Sequence, residues 1–220
     1  MNKYLLSLLL VLPMSFIVIA QDNESDDDVE EVVVTGIKKS LISAIDIKRN
    51  NVGVVDAITA EDFGKFPDNN LAESLARVVG IGIDRSNVEG ERVAVRGFGP
   101  ELNLVTLNGR QMPTVPGQWG GGRSFNFGDI SSHGIAAVEV YKSTNSSLPS
   151  GGIGSTINMV TTKPLSIDGS LSSFSIDVLN DSTSNEDLKP ELNFVHSSNF
   201  GNFGFAISGS FQDRNNIEEG

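Results

Sequence analysis

The residue types that usually perform catalysis or bind metals are few in this chain, and their spacing matches no catalytic motif. The chain has no cysteine, which excludes disulfides, iron–sulfur clusters and thiolate zinc sites. Its two histidines, His133 and His196, are far apart and lack a partnering motif. No nucleophile elbow, paired-histidine metal helix or triad spacing is present. The residues therefore predict no catalytic centre, no metal site and no cofactor.

Glycine-rich stretches also suggest chemistry, because backbone amides in such loops can cradle phosphates. The sequence GGIGS at 151–155 lacks the lysine and the spacing of a P-loop. The sequence GFG at 97–99 lacks the third glycine of a dinucleotide-binding turn. Both are better interpreted as tight turns. The formal net charge of −12 also argues against nucleic-acid binding, which requires a basic surface.

The segment MPTVPGQWGGGR, from Met112 to Arg123, has residue types that suit a ligand-binding loop. It contains the only tryptophan of the chain, Trp119, among glycines, with Gln118 and Arg123 nearby. An exposed aromatic ring can stack on a sugar ring, while amide and guanidinium groups donate hydrogen bonds to its hydroxyls. Packing of Trp119 against another part of the protein is an equally good interpretation. Gln118, Trp119 and Arg123 are therefore candidate substrate-contacting residues.

The first twenty residues have the pattern of a secretory signal peptide. Lys3 gives a positive start, residues 4–19 are almost unbroken apolar sequence, and Ala20 ends the segment at a suitable cleavage position. The alternative is a membrane anchor, but a spanning helix needs about 20 apolar residues. No second apolar segment follows. We expect cleavage after Ala20 and export of a mature chain that begins at Gln21.

An acidic segment and a β-branched segment follow the export signal. Residues 21–31 contain seven acids and no base, so we expect a disordered tether. A calcium-binding loop is an alternative, but the spacing does not fit an EF-hand. The next residues are valines 32–34, Thr35 and Gly36, and β-branched residues favour an extended backbone. We therefore expect a short exposed strand at the end of the tether.

Residues 38–164 alternate between helical and strand patterns. Apolar residues at helical spacing predict a helix from Lys38 to Arg49, and capping residues predict helices that start at Thr59 and at Asn70. The dipeptide Asn108-Gly109 is the strongest short signal for a tight hairpin. Together with short strands these elements predict one compact α+β domain. The predicted strands cover residues 52–58, 81–84, 92–96, 102–107, 135–141 and 155–161.

After Pro164 the pattern changes to strict alternation of apolar with small or polar residues. Three consecutive strands follow, around Phe174, around Phe194 and from Phe205 to Phe211. This alternation fits a transmembrane β-barrel, whose outer face contacts lipid and whose inner face is wet. A soluble β-meander with one buried face produces the same alternation. The periodicity alone does not decide between them.

Four motifs, in this order along the chain, resemble those of the TonB-dependent receptors. The sequence EVVVTG at 31–36 resembles the TonB box of that family. The stretches at 66–85, 92–114 and 137–164 resemble successive signatures of its plug domain. The sequences of these motifs are most similar to those of the branch of the family that is linked to uptake of oligosaccharides. Any single motif can arise by chance, whereas the ordered series is highly specific.

The resemblance implies a fold and a location. It implies an α+β plug domain at 38–164, followed by the first antiparallel strands of a transmembrane β-barrel of about 22 strands. The 56 residues after Pro164 in this chain of 220 suffice for about three such strands. We therefore expect a partial receptor that cannot transport by itself, located in the outer membrane of Gram-negative bacteria and in contact with its lipid.

The resemblance also implies partners. TonB, driven by motor proteins of the inner membrane, is expected to bind one short segment edge-on and to rearrange the plug by pulling. The transported nutrient is expected to be an oligosaccharide, with an iron–siderophore complex or cobalamin as the alternative. A passive porin or adhesin barrel is an alternative of a different class. The expected TonB-binding residues are Glu31, Val32, Val33, Val34, Thr35 and Gly36.

Two arginines are candidates for a lock between plug and barrel. Arg96, in Val95-Arg96-Gly97, matches the arginine that plugs of the family direct toward acidic barrel residues. Arg110, directly after the Asn108-Gly109 turn, is a second candidate. Each is also compatible with an ordinary exposed surface arginine. The family further places the loop that contains Gln118, Trp119 and Arg123 at the outward-facing end of the plug.

Overall fold

The structure is a computed structural model that describes residues 28–60, 70–86, 89–114, 122–179 and 189–212. Within these ranges the chain forms two α-helices and ten β-strands. No helix in these ranges is long and apolar enough to cross a membrane. The elements are α1 Asp28–Asn50, β1 Val55–Thr59, α2 Leu71–Leu75, β2 Ile81–Ser86, β3 Glu89–Val95, β4 Asn103–Leu107, β5 Arg110–Gln111, β6 Ile135–Tyr141, β7 Ser155–Thr161, β8 Ser170–Leu179, β9 Lys189–Asn199 and β10 Gly204–Gln212.

Helix α1 confirms the helix predicted from Lys38 but begins ten residues earlier, at Asp28. The prediction of a disordered tether is therefore wrong for residues 28–31, and the prediction of an extended strand is wrong for residues 32–36. An isolated strand leaves its backbone N–H and C=O groups unpaired, whereas a helix pairs them within its own segment. Extending an existing helix adds one hydrogen bond for each residue that is ordered. Residues 1–27, with the predicted export signal, lie outside the described residues.

The plug contains a five-stranded sheet with the strand order β1-β6-β7-β4-β5. Strands β4 and β7 are parallel, and the other neighbours are antiparallel. The hairpin of β4 and β5 closes at Asn108 and Gly109, whose φ angles of 51° and 78° are those of a type I′ turn. The predicted hairpin and the strands of this sheet are confirmed.

The core of the plug lies on one face of this sheet, beneath α2 and the β2–β3 hairpin. Helix α2 starts as predicted, because the Asn70 side-chain oxygen accepts a hydrogen bond from the Ala72 amide at 2.8 Å. It ends at Leu75. The helix predicted from Thr59 falls largely on undescribed residues. Fully buried core side chains are Leu71, Leu75, Val95, Val138, Val140, Ile157 and Met159.

Strands β8, β9 and β10 form a separate antiparallel meander. Its register places Phe174 and Gly209 on either side of Phe194, so that the predicted apolar residues share one face. Phe174 is 66% exposed and Phe194 is 44% exposed. On the opposite face, Asn193 is 1% exposed and Ser197 is 0% exposed. A soluble meander buries its apolar face, whereas the strands of a transmembrane β-barrel expose it. The placement in this sheet is that of strands at the start of a barrel.

Candidate functional site

The strand register places two groups of loops at opposite ends of the plug sheet. Tyr141 lies opposite Thr156, and Ile135 lies opposite Thr161. The β6–β7 loop, residues 142–154, is therefore at one end, and Thr161, where the chain leaves the plug, is at the other. We call the first the loop end, defined by residues 96–102 and 142–154. We call the second the exit end, defined by Asn108, Gly109 and Thr161.

Arg96 lies at the loop end and binds the β6–β7 loop. Its backbone has a positive φ of 53°, and its Nη2 donates a hydrogen bond to the Gly154 carbonyl at 3.1 Å. The Gly154 amide in turn donates to the Leu102 carbonyl at 3.0 Å. A side chain at Gly154 would meet Asn103 Oδ1 at 2.6 Å and Phe98 Cβ at 2.7 Å, so this position requires glycine. Arg96 thus stabilises the β6–β7 loop through its hydrogen bond to Gly154.

The loop end contains an open groove of about 800 Å³. Hydroxyl and amide side chains and the Arg96 guanidinium are available there to donate hydrogen bonds to a ligand. Burial, and then the nearby Glu139 carboxylate, raise the pKa of Tyr141 to about 12, so its hydroxyl keeps its proton. Among the described residues no cluster of acids and histidines suited to a metal ion is present. The groove is lined by Arg96, residues 141–146 and residues 148–156.

Arg123, one of the candidate substrate-contacting residues, lies beside the same β6–β7 loop. Its Nη2 lies 3.5 Å from the position of a Cβ built on Gly151. Its side chain is exposed, and among the described residues it has no hydrogen bond or ion pair. Gln118 and Trp119 lie outside the described residues. The structure therefore brings Arg96 and Arg123 to one loop, from positions 27 residues apart in the sequence.

Arg110 is placed at the other end of β4. It is exposed in β5 and pairs with Leu107, directly beyond the Asn108–Gly109 turn. That turn is held by Asn158, whose Oδ1 accepts a hydrogen bond from the Gly109 amide at 2.9 Å. The two predicted lock residues, Arg96 and Arg110, therefore do not form one site.

The plug contacts the polar face of the barrel strands near His133, a residue that the sequence does not mark as a site. A cavity of about 380 Å³ between the two parts is lined by His133 and by Ser208 and Ser210 of β10. Burial lowers the pKa of His133 from its ordinary value, and the charges of Glu191 and Asp177 oppose this shift only in part. A lone histidine after two serines carries no sequence signal for such a contact, because its neighbours come from strands more than 40 residues away.

The TonB-dependent Receptor Plug Domain matches residues 47–156, half of the chain. The chain therefore belongs to the TonB-dependent receptor family. Members of this family lie in the outer membrane of Gram-negative bacteria, and this is the location of the present chain. No curated protein matches it.

Solved receptor structures share the fold at low identity. The siderophore receptor PirA from Acinetobacter baumannii is 21% identical, with a TM-score of 0.56, over 76% of this chain and 25% of that one. PirA from Pseudomonas aeruginosa is 23% identical, with a TM-score of 0.52, over 73% and 28%. A mutant of the ferric enterobactin receptor PfeA from Pseudomonas aeruginosa is 20% identical, with a TM-score of 0.53, over 76% and 25%. This chain thus spans about a quarter of the receptors that it resembles.

Proposed function

We propose that this chain forms the plug and the first barrel strands of a receptor that takes up a scarce nutrient with energy delivered by TonB. The observation that carries the proposal is the packing of the plug on the polar face of β8–β10. The buried Asn193 and Ser197 lie on that face, while Phe174 and Ile207 point away from the plug. The plug therefore lies on the inner, polar side of barrel strands whose outer, apolar side faces lipid. Transport is a property of the whole receptor that contains these residues.

The strand connections indicate which end of the plug faces the periplasm. Periplasmic turns of outer-membrane barrels are short and extracellular loops are longer. The connection from β9 to β10 spans only residues 200–203, whereas residues 180–188 separate β8 from β9. The short turn lies beside the chain that leaves the plug, because Asn199 donates a hydrogen bond to the Ile167 carbonyl at 2.8 Å. We infer that the exit end faces the periplasm and that the loop end faces the outside.

Helix α1 presents the coupling segment on the periplasmic side. Ser40 of α1 exchanges hydrogen bonds with Thr59, at 3.2 Å and 2.7 Å, and Thr59 pairs with Ala137 near the exit end. Residues 31–36 precede Ser40 and therefore extend from this end. We propose that they unwind from the helix and add as a strand to the edge of a sheet in TonB, through main-chain hydrogen bonds.

The substitution Val33→Pro tests the coupling. Proline removes one main-chain donor and restricts the backbone, so the receptor is expected to bind its ligand normally and to lose uptake. Val33→Thr is the matched control, since it keeps both the N–H group and the β-branch, and it is expected to transport normally. Ligand affinity on cells and accumulation of radiolabelled ligand are the two measurements. Equal uptake by both variants would rule out residues 31–36 as the coupling segment.

We infer that the ligand is an anionic metal chelate of the iron–siderophore class. Arg96 and Arg123 place their guanidinium groups beside the hydroxyl-lined groove of the loop end. The segments 96–102 and 142–154 contain one acidic residue, Glu101, and the neighbouring Asp56 carboxylate is paired with Lys142. Guanidinium groups bind anionic oxygens with strong, geometrically specific hydrogen bonds. Arg96 has five N–H donors and uses one of them on Gly154. Its other donors have no partner among the described residues, so we infer that they are available to a ligand or, as in the predicted lock, to a barrel carboxylate.

An oligosaccharide is the second candidate. The groove lining is rich in hydroxyl groups, which also suit a neutral sugar, and the sequence MPTVPGQWGGGR contains an aromatic ring for stacking. The Trp119 ring lies outside the described residues, so the oligosaccharide proposal depends on a sequence pattern. Arg110 at the exit end remains a proposed lock residue toward the barrel.

Binding measurements on the whole receptor separate the two ligand classes. Arg123→Gln is expected to weaken binding of a ferric catecholate or ferric carboxylate chelate by about tenfold or more, because a hydrogen bond to a charged group contributes about 1.5–3 kcal/mol. Lys163→Gln, which removes a positive charge from an exposed side chain next to the exit end, is the matched control and is expected to leave affinity unchanged. Tight binding of a neutral oligosaccharide, with no binding of either chelate, would contradict the proposal.

A further inference from the structure

Asp56 is shared by two lysines that come from different elements. Lys48 of α1 places its Nζ 2.6 Å from Asp56 Oδ1. Lys142, the residue after β6, places its Nζ 2.5 Å from Asp56 Oδ2. Burial would raise the pKa of Asp56, but the hydrogen bonds and charges of the two lysines outweigh this and lower it. Asp56 therefore stays ionised near neutral pH and joins α1 and β1 to the base of the β6–β7 loop.

Lys142 is the most deeply buried of these three residues. Its side chain is only 7% exposed, and its Nζ also donates to the Val79 carbonyl at 2.5 Å. Its backbone amide donates to the Val54 carbonyl at 2.8 Å. The Val54 amide donates to Ser143 Oγ at 2.8 Å. A buried ammonium group is tolerated because it has charged and neutral acceptors within reach. The start of β1 is thus fastened to the first two residues of the β6–β7 loop.

A force that pulls on α1 is transmitted along the chain to the start of β1, next to Asp56. From Ser40 the helix runs toward Lys48, and the chain then turns through residues 51–54 to enter β1 at Val55. In the described part of the chain, strand β1 lies at the edge of its sheet and pairs with one other strand, β6. Its hydrogen bonds lie perpendicular to the strand. A pull that enters at Val55 therefore opens them one after another, which needs less force than breaking all of them together.

The contacts along α1 differ in strength. The Ser40–Thr59 pair is made of neutral hydrogen bonds, while the contacts of Asp56 are charge-assisted and roughly twice as strong as neutral ones. The final resistance to separation is therefore expected at Asp56. This is also the place where the plug's ligand groove begins, because Lys142 and Ser143 line that groove.

Building on the proposed function, we propose that Lys48, Asp56 and Lys142 form a latch at which the pull on α1 opens the plug. While the latch is closed, it holds β1 against β6 and keeps the β6–β7 loop in place. When it opens, β1 separates from β6, and the base of the loop that lines the groove moves. Energy delivered on the periplasmic side thereby reaches the ligand side through one edge strand.

Paired cysteines in the whole receptor test the latch. The natural sequence has no cysteine, so each engineered pair is the only disulfide in these 220 residues. Ala57→Cys with Glu139→Cys joins β1 to β6 at registered partners. Thr106→Cys with Gln111→Cys joins β4 to β5 in the same way and is the matched control. Comparison of oxidised with reduced protein cancels the effect of the substitutions themselves.

The oxidised β1–β6 pair is expected to bind ligand normally, to lose uptake and to regain uptake after reduction. The oxidised β4–β5 pair is expected to transport like its reduced form. Normal uptake by the oxidised β1–β6 pair, together with no uptake by Val33→Pro, would overturn the latch and leave the proposed function intact. Uptake lost in both oxidised pairs would mean that opening also requires β4 to separate from β5, which would overturn a latch that acts at β1 and β6 alone. Normal uptake by Val33→Pro would instead contradict the proposed function.

Hydrogen exchange provides a readout that does not depend on transport. Lys48→Met removes the ion pair between Lys48 and Asp56 and leaves the contact between Lys142 and Asp56 intact. We expect faster exchange of the β1 amides in this variant, with unchanged exchange in β4. Lys39→Met, on the same helix but without an ion pair among the described residues, is the control and is expected to leave β1 exchange unchanged. Equal exchange of β1 in both variants would overturn the role of Lys48.

Discussion

The plug sheet and the barrel sheet use the same residue types with opposite placement. In the plug, Val138 and Ile157 are 0% exposed and form the core. In the barrel strands, Phe174 and Ile176 are 66% and 61% exposed, while the buried side is polar. Apolar burial of about 25 cal/mol per Å² drives the first arrangement. The second is stable only where the surroundings of the apolar face are themselves apolar, as in a lipid bilayer.

An exposed apolar side chain therefore cannot be interpreted in the same way in the plug and in the barrel strands. The exposed aromatic residues near the β9–β10 turn include Phe200, which stacks on Phe203 at a centroid distance of 6.4 Å and on Phe205 at 6.2 Å. Aromatic residues at the rim of an apolar band are typical of barrel surfaces at the membrane interface. In a soluble domain the same group would be an aggregation hazard.

The largest expected effect comes from placing one charge on each kind of apolar position. Ile157→Lys puts an unpaired charge in the plug core and is expected to cost more than about 4 kcal/mol. Ile176→Lys puts the same charge on the outward face and is expected to cost about 2–4 kcal/mol in a bilayer if the position is near its midplane. Protease resistance of the plug and folding of the receptor into lipid vesicles are the two measurements.

The two variants should fail in different assays. Ile157→Lys is expected to expose the plug to protease even when the barrel is inserted. Ile176→Lys is expected to impair insertion and to leave the plug protected in the molecules that do insert. Loss of plug protection in inserted Ile176→Lys receptor would contradict the outward placement of β8.

A smaller effect is expected from His133, at the contact between the two parts. Because its pKa in the folded protein is lower than the ordinary 6.5, the unfolded chain binds a proton more readily. The contribution of this residue to stability is therefore complete above about pH 6.5 and is lost as the pH falls below that value. Denaturant unfolding of the receptor at pH 7.5 and pH 5.5 is the measurement, and His133→Gln is expected to reduce the loss of stability at pH 5.5. An unchanged pH dependence of stability in His133→Gln would contradict the burial of His133 at the contact between plug and barrel strands.

Local signals in the sequence predicted most of the elements. The Asn108-Gly109 turn, the cap at Asn70 and the strands around Ile135 and Ser155 appear where expected, because their causes lie within a few residues. The segment 31–36 was predicted as a strand from its β-branched residues, yet it lies in α1. Propensity is a weak prior, and backbone pairing within a continuing helix outweighs it.

The partners of the polar residues were not predictable. Lys142 has no local feature that marks it as buried, since Asp56 lies 86 residues earlier and meets it only through the pairing of β1 with β6. The same holds for Arg96 on Gly154 and for His133 beside the barrel strands. Motif resemblance indicated an arginine lock at Arg96, but the loop that this arginine binds depends on the fold.

The sequence by itself determined the alternation of β8–β10, the turn residues and the ordered motifs of the family, because each is encoded in neighbouring residues. Only the tertiary structure decided which face of the alternation is covered, which lysine is buried and which end of the plug collects the arginines. A repeat of period two is the same whether lipid or protein covers a given face. The choice depends on contacts between residues that are far apart in the chain.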